Sequence, residues 1–405
     1  MIVSLAWRNI WRQPTRTWLS LIGMGFTSML LVFVLSFQFG SYDTMKSSML
    51  QISDGFGQFQ PVGYKDDPDI GKVISDPDAV IAQALAVKGI TDVTSRGNGF
   101  ALLASGERSF AAAVVGIDPA NEAKISTITG LVKQGRALTA EDTNAIVLGD
   151  GLARNLRVSL GDPITMLGSG TDGSVAADVL TLVGIFKSGV PDLDRQIAHM
   201  PIERFKDTFL MEGAAHIVAL TGDDLMDVER AEKSLRAIAA DNDLVYLNWA
   251  ELRPEVQQAI SFDLSTAMLM YATLVIVVVF IILNTLYMSV LERTREFGVL
   301  LAIGMKPGQI GRMVWMEMIF LSAVGSGIGI ILGVIITGIF QSTGIAIEGM
   351  DDLYAEWGLP SRFYPAMTVG RVLMGPGAIV VSIAVLGVIP YRRVLGLEPV
   401  KAMAS

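Results

Sequence analysis

Residues 264–291 read LSTAMLMYATLVIVVVFIILNTLYMSVL, 28 consecutive positions without one Asp, Glu, Lys or Arg. About 20 helical residues, each rising about 1.5 Å, cross a hydrocarbon layer of about 30 Å, and the buried helices of water-soluble proteins rarely stay uncharged for so long. Three more charge-free stretches occur, Trp18 to Tyr42, Met318 to Ile347 and Val372 to Tyr391, of 25, 30 and 20 residues. The spacing predicts four membrane spans, one followed at a distance by three. Composition agrees, since the 405 residues are 51% hydrophobic and only 18% charged. The first apolar run is too long for a signal peptide and no A-x-A-like site follows it, so it reads as an uncleaved anchor.

Basic residues in short flanks resist translocation and so set orientation. Arg8, Arg12 and Arg16 precede the first span, Arg293, Arg295, Lys306 and Arg312 lie between the second and third, and Arg392, Arg393 and Lys401 follow the fourth. The loop 348–371 offers only Arg362 and Arg371 beside Glu348, Asp351, Asp352 and Glu356. Both termini are therefore expected in the cytoplasm, with 43–263 exported as one large insertion between spans one and two. The acidic excess of the chain, −9 in total, falls on the exported side and argues against a nucleic-acid partner, which needs a basic face. The absence of cysteine excludes disulfides, thiolate metal sites and thiol nucleophiles together.

Within the insertion the pattern turns to short β-rich runs and two helical windows. Window 77–87 opens with Ser75 or Asp76 as a cap and Pro77 at the first helical position. Strand-like runs follow at Ile90 to Ala104 and Arg108 to Ile117, joined by Ser105-Gly106-Glu107. Downstream the order recurs, with a strand at His216 to Leu220, an amphipathic helix at Asp224 to Ala240 and a strand at Leu244 to Leu247. With a strand near Gln58 to Val62 the series is a split β-α-β module, ferredoxin-like. It is expected from 43–117 and 214–250, with 118–213 as an inserted β-rich module (runs at 145–148, 164–167 and 179–185) and 251–263 as a helical stalk leading into span two. The fold class is thus a membrane protein of four transmembrane α-helices (1+3) carrying a large α+β extracytoplasmic domain. His199 and His216 lack a carboxylate pattern and read as ordinary polar or interface histidines, not metal ligands. Asp192 and Asp194, beside Gly189 and Pro191, read as turn residues.

Four segments remain with functional character. Segment 1–17 alternates Trp7 and Trp11 with Arg8, Arg12 and Arg16, which suits a helix lying in the membrane interface. Span two (264–291) ends in Glu292, Arg293, Arg295 and Glu296, after which Phe297, Leu300, Leu301 and Gly304 recur at helical spacing. A short amphipathic helix is expected across 292–308, closed by Gly304 and the Lys306-Pro-Gly308 break, before span three at 309–347. Span three carries Gly325, Gly329 and Gly333 on one helical face, a packing surface for another helix of the same chain or of a second copy. Glu317, at the inner end of that span, reads as structural. Span four covers 372–391, and 392–405 form a tail.

The run Glu292-Arg293-Thr-Arg295-Glu296-Phe297-Gly298-Val-Leu300-Leu301-Ala302-Ile-Gly304, followed by Gln309-Ile310 and Glu317, resembles the signature of ABC transporter permeases of the MacB, LolC/LolE and FtsX type. The opening Ala6-Trp-Arg-Asn-Ile-Trp-Arg12 and the tail 391–402 are similar to that family's ends. Gly135-Arg136, Val147 to Gly149 through Gly161-Asp162, and Val183 to Phe186 with Asp192 and Asp194 resemble the periplasmic region of its lipoprotein-releasing branch. The resemblance implies a non-catalytic permease subunit that pairs with a second permease subunit, identical or different, and docks cytoplasmic ABC ATPases through 292–304. ATP and Mg would be bound by those ATPases, since no G-x-x-x-x-G-K-[ST] run occurs in this sequence. It further implies an inner-membrane location and a lipid or lipoprotein cargo, with a periplasmic acceptor or adaptor. Two alternatives stay open, a MacB-like efflux subunit for peptides or small molecules and an FtsX-like signalling scaffold acting on a periplasmic hydrolase.

Overall fold

The computed structural model describes residues 2–346, 348–349, 354 and 361–396. The loop acids Asp351, Asp352 and Glu356 and the tail beyond Gly396, with Lys401, lie outside the described residues. The chain divides into two compact units, one of 1–42, 259–346 and 362–405, the other of 43–258 and 347–361.

In the membrane unit, helix α1 (Ile2–Ile10) precedes α2 (Pro14–Ser53). Pro14 fits the first helical position, where its missing N–H costs nothing, so the first span starts four residues before its charge-free stretch. The helix also continues past Tyr42, because charge alone does not end a helix: Lys46 pairs with Asp43 one turn back at 3.1 Å. The second span lies in α10 (Pro254–Glu292) and the third in α12 (Pro307–Thr343). The fourth is α13 (Val369–Leu386) continued by α14 (Val388–Leu395). All four are long and apolar enough to cross a membrane. At about 1.5 Å per residue the 40-residue α2 and 39-residue α10 reach roughly twice the thickness of the hydrocarbon layer. Their shared core includes Leu21, Met24, Leu31, Val279, Phe297 and Ile379, each 3% exposed or less.

The second unit is built on one ten-stranded sheet. Strands β1 (Gly57–Pro61), β2 (Asp92–Ser105), β9 (Ile217–Thr221) and β10 (Leu244–Asn248) lie in the order β10-β1-β9-β2, each antiparallel to its neighbour. Helix α3 (Pro77–Leu85) links β1 to β2 and α8 (Leu225–Asp241) links β9 to β10, each joining parallel strands across an intervening one, the split β-α-β arrangement. Asp76 caps α3 by accepting from the Ala79 N–H. The stretch 118–213 does not form a sheet of its own. Its strands β4 (Val132–Gly135), β5 (Ala145–Gly149), β6 (Pro163–Ser169), β7 (Val175–Phe186) and β8 (Ile197–Pro201) extend the same sheet beyond β3 (Arg108–Ile117). The continuity rests on β2, whose first five residues pair with β9 and whose Ala101–Ala104 pair with β6. Helix α7 (Ile202–Phe209) packs Phe205 and Phe209 against Gly97, Gly99 and Gly116; a Cβ at Gly116 would stand 2.5 Å from that of Phe205.

Candidate coupling site

Span two stops at Glu292. Arg293 leaves helical geometry (φ −93°, ψ 8°), and a short helix α11 (Thr294–Ala302) follows. Gly304 closes it at φ 101°, a left-handed conformation natural only to glycine, and its N–H donates to the Leu301 carbonyl at 3.0 Å. Pro307 then opens α12, with the Lys306 N–H held by Gln309 Oε1 at 3.1 Å.

Helix α11 has two apolar faces, and the structure corrects which one is available. Phe297 is fully buried and Gly298 is buried, while Leu300 and Leu301 pack half-buried on the membrane core. These residues, expected to meet a partner, fill their own bundle instead, because the kink at Arg293 turns that face onto it. Arg293 is turned inward too: its guanidinium lies over the Phe297 ring at 5.3 Å and pairs with Glu317 at 3.1 Å, both side chains 14% exposed. The exposed face comprises Arg295, Glu296, Val299, Ala302, Ile303 and Gly304, with Ile303 79% exposed.

The charges form a network with the N-terminal segment. Asn9 Nδ2 donates to Glu317 Oε1 at 2.6 Å. Arg12 meets Glu296 at 3.3 Å, and Arg16 holds Glu292 through two bonds of 2.9 and 3.1 Å. Arg12 and Glu296 are more than half exposed and contribute little; the Asn9–Glu317–Arg293 chain is the shielded part. Arg12 and Arg16, which the sequence presents as membrane anchors, bridge to α11 and to the end of α10. Asn9 carries no signal in the sequence, because only contact with a residue some 300 positions away gives it a role. Trp7 and Trp11 remain half-exposed in an edge-on series with Trp18, and Arg8 is exposed.

The glycine stripe of α12 is spent within the chain. Cβ atoms added at Gly325, Gly329 and Gly333 would stand 2.8, 2.5 and 2.8 Å from Met24, Ser28 and Val32 of α2, and Ser28 and Ser326 hydroxyls meet at 3.3 Å on that seam. Small residues permit this approach where lipid supplies no hydrophobic drive between helices.

Residues 17–238 match the MacB-like periplasmic core domain, and residues 268–399 match the FtsX-like permease C-terminal domain. The chain belongs to the MacB, LolC/LolE and FtsX type of ABC transporter permease. It is 24% identical over 356 residues to an ABC transporter permease of Methanocaldococcus jannaschii, covering 84% of each chain. It is 24% identical over 317 residues to the lipoprotein-releasing system transmembrane protein LolC of Xylella fastidiosa, covering 74% of this chain and 75% of that one. A solved structure of the periplasmic region of MacB from Actinobacillus actinomycetemcomitans aligns with 50% of the chain and 91% of its own, at 17% identity and a TM-score of 0.36.

The core domain of the permease has its own shielded joint, where α2 ends. The last carbonyls of α2 would be orphaned without donors. Thr127 N–H donates to the Gln51 carbonyl at 2.7 Å, Ser126 Oγ to Ile52 at 2.6 Å, Arg96 to Ser53 at 2.5 Å, and Gln58 Nε2 to Asp54 at 2.8 Å. Arg96 also grips Glu122 through two bonds of 2.9 and 2.7 Å, both side chains at most 6% exposed. Arg253, the residue before α10, pairs with Asp54 at 2.5 Å.

Both histidines of the permease sit in this domain. Burial pushes the His199 imidazole down to about 3, so it stays neutral, stacked 5.7 Å from Phe186. His216 is likewise lowered by burial; its Nδ1 accepts from the Asn98 N–H at 3.0 Å, which places the ring proton on Nε2, 2.9 Å from the Ile70 carbonyl. Asp192 and Asp194, read from the sequence as turn residues, lie instead in a short helix, Pro191–Gln196, where Asp194 accepts from the Ser188 N–H and hydroxyl at 2.8 and 2.7 Å. Among the described residues no three His, Cys, Asp or Glu side chains are placed to hold a metal.

Proposed function

We propose that this chain is the non-catalytic membrane subunit of a bacterial inner-membrane ABC transporter, driven by separate cytoplasmic ATPases that bind the ATP and Mg. The observation that carries this reading is the exposed ridge Arg295, Val299, Ala302 and Ile303, mounted on a helix whose other face is locked by Phe297 and the Arg293–Glu317 pair. Large apolar side chains beside a guanidinium suit the centre of a protein interface. Basic flanks support cytoplasmic termini and a periplasmic core domain. ATPase movement at α11 passes into α10 and α12, while the core domain receives it through two long helices whose ends are joined at Asp54–Arg253. The spans carry almost no ionisable groups, which favours an apolar cargo, an acylated protein or lipid drawn from the membrane, over a polar path. A second permease subunit completes the pair, and a periplasmic acceptor takes the cargo.

The test is copurification of the ATPase with membrane-extracted variants. Ile303→Asp and Arg295→Glu on the exposed face reduce recovered ATPase at least tenfold while the permease level stays normal. Wild-type recovery with both changes refutes α11 as the docking element.

A further inference from the structure

Gln58 and Gln60 project from one face of β1, opposite Phe59, whose ring is in the core. Gln58 Nε2 donates to the Asp54 carbonyl, and Gln60 Nε2 donates to Gln58 Oε1 at 2.7 Å. Because a carbonyl can only accept, this relay fixes the orientation of both amides. It leaves Gln60 Oε1 buried without a partner, on a residue only 5% exposed. Asn98 likewise leaves its buried Oδ1 unpartnered. Both line a cavity of about 250 Å³ shared with Lys65, Arg96, Glu122 and His199. A buried acceptor left without a donor costs about 1–3 kcal/mol, so two in one cavity mark a place for donors.

Side chains alternate along a strand, so Asn98, Phe100 and Leu102 share one face of β2. Beyond Asn98 that face is apolar and open: Phe100 is 67% exposed and Leu102 42%. The register sets Leu102 beside Ala111 and Leu167, Leu167 beside Ala177, Thr165 beside Val179, and Ser169 beside Val175. Leu167, Val175 and Val179 are 48, 74 and 52% exposed. These rows cross four strands, about 14 Å at about 4.8 Å per strand, with no charged side chain. An antiparallel sheet normally turns polar residues toward water, and a continuous apolar stretch marks a ligand or interaction surface.

We propose that this face of the core domain binds a membrane phospholipid with an amine headgroup. Its ammonium donates to Gln60 Oε1 and Asn98 Oδ1, its phosphate meets Lys65, and one acyl chain lies along Phe100, Leu102 and Leu167. Arg96 and Arg253 are already neutralised by Glu122 and Asp54, whereas the Lys65 ammonium meets the Glu251 carbonyl. A primary ammonium brings both N–H donors and positive charge to two amide oxygens, whereas a trimethylated choline headgroup has no N–H to give. The inference goes beyond the coupling reading and is tested without any ATPase, so its failure leaves that reading standing.

The probe is lysophosphatidylethanolamine carrying a diazirine in its acyl chain, photolysed with the purified full-length permease and mapped by mass spectrometry. Adducts are expected in 98–104 and 163–169 and fall at least fivefold in Leu102→Asp/Leu167→Asp, a pair exposed enough to leave hydrogen exchange of β2 unchanged. Unlabelled lysophosphatidylethanolamine competes about tenfold better than lysophosphatidylcholine, and Gln60→Leu abolishes that preference while keeping the adducts. Adducts confined to the spans, equal competition by the two headgroups, or stronger competition by an acylated peptide overturns the proposal.

Discussion

Arg96→Met is the most incisive perturbation of the core domain. It strands the Glu122 carboxylate, 3% exposed as a side chain, and removing one member of a buried pair costs about 3–5 kcal/mol. The change also strips the Ser53 carbonyl at the end of α2 of its donor, about a further 1 kcal/mol. Against a total stability of about 5–15 kcal/mol this is a large share, and at 1.36 kcal/mol per tenfold it amounts to roughly three to four decades in opening equilibrium. Hydrogen–deuterium exchange of the purified permease reads that loss in β2 and in α4 (Pro119–Ile125), with the spans as internal reference. Glu122→Leu alone gives a similar loss by stranding the guanidinium. The double variant should be milder than either single change, because apolar groups of similar volume replace a buried pair at little cost. Strictly additive losses in the double variant would refute the claim that this pair is coupled and shielded.

Two further outcomes follow from the geometry. Gly329→Leu forces a side chain into the seam with Ser28, and overpacking of about 1–3 kcal/mol should lower the melting temperature of the detergent-solubilised permease, whereas Gly327→Leu, where nothing lies within 4 Å, should not. His199 is held neutral down to about 3 against an ordinary value of 6.5, so the unfolded chain takes up its proton first and stability declines as pH falls from about 6.5 toward 3. His199→Phe should make that decline shallower in denaturant titrations at pH 7 and pH 5.

The spans are legible in the sequence because a helix packed in a water-soluble fold almost always turns some charge to solvent within about 20 residues, and these four do not. The split β-α-β module is legible because Asp76 and Pro77, and Asp224 before α8, mark helix starts between β-rich runs. The placement of 118–213 is hidden: β3 pairs in parallel with β8 across some 80 residues, and no local pattern announces a partner so distant. Helix α11 is half legible. Its length and its Gly304 stop follow from local chemistry, but with Phe297, Leu300 and Leu301 on one side and Val299, Ala302 and Ile303 on the other, periodicity cannot choose the buried face. Glu317 and Asn9 make that choice, and neither lies within the segment. The glycine stripe likewise announces close packing without naming its partner, which Met24, Ser28 and Val32 supply.

The contact between Asp54 and Arg253 sets the end of α2 beside the start of α10, so the polypeptide leaves and re-enters its long helices at neighbouring positions. The chain strung between those two residues is a closed loop, so it can grow at positions away from Arg96, Ser126 and Thr127, which bind the end of α2, without altering the register of either long helix. Insertions are then cheapest in that loop, away from the residues that close it.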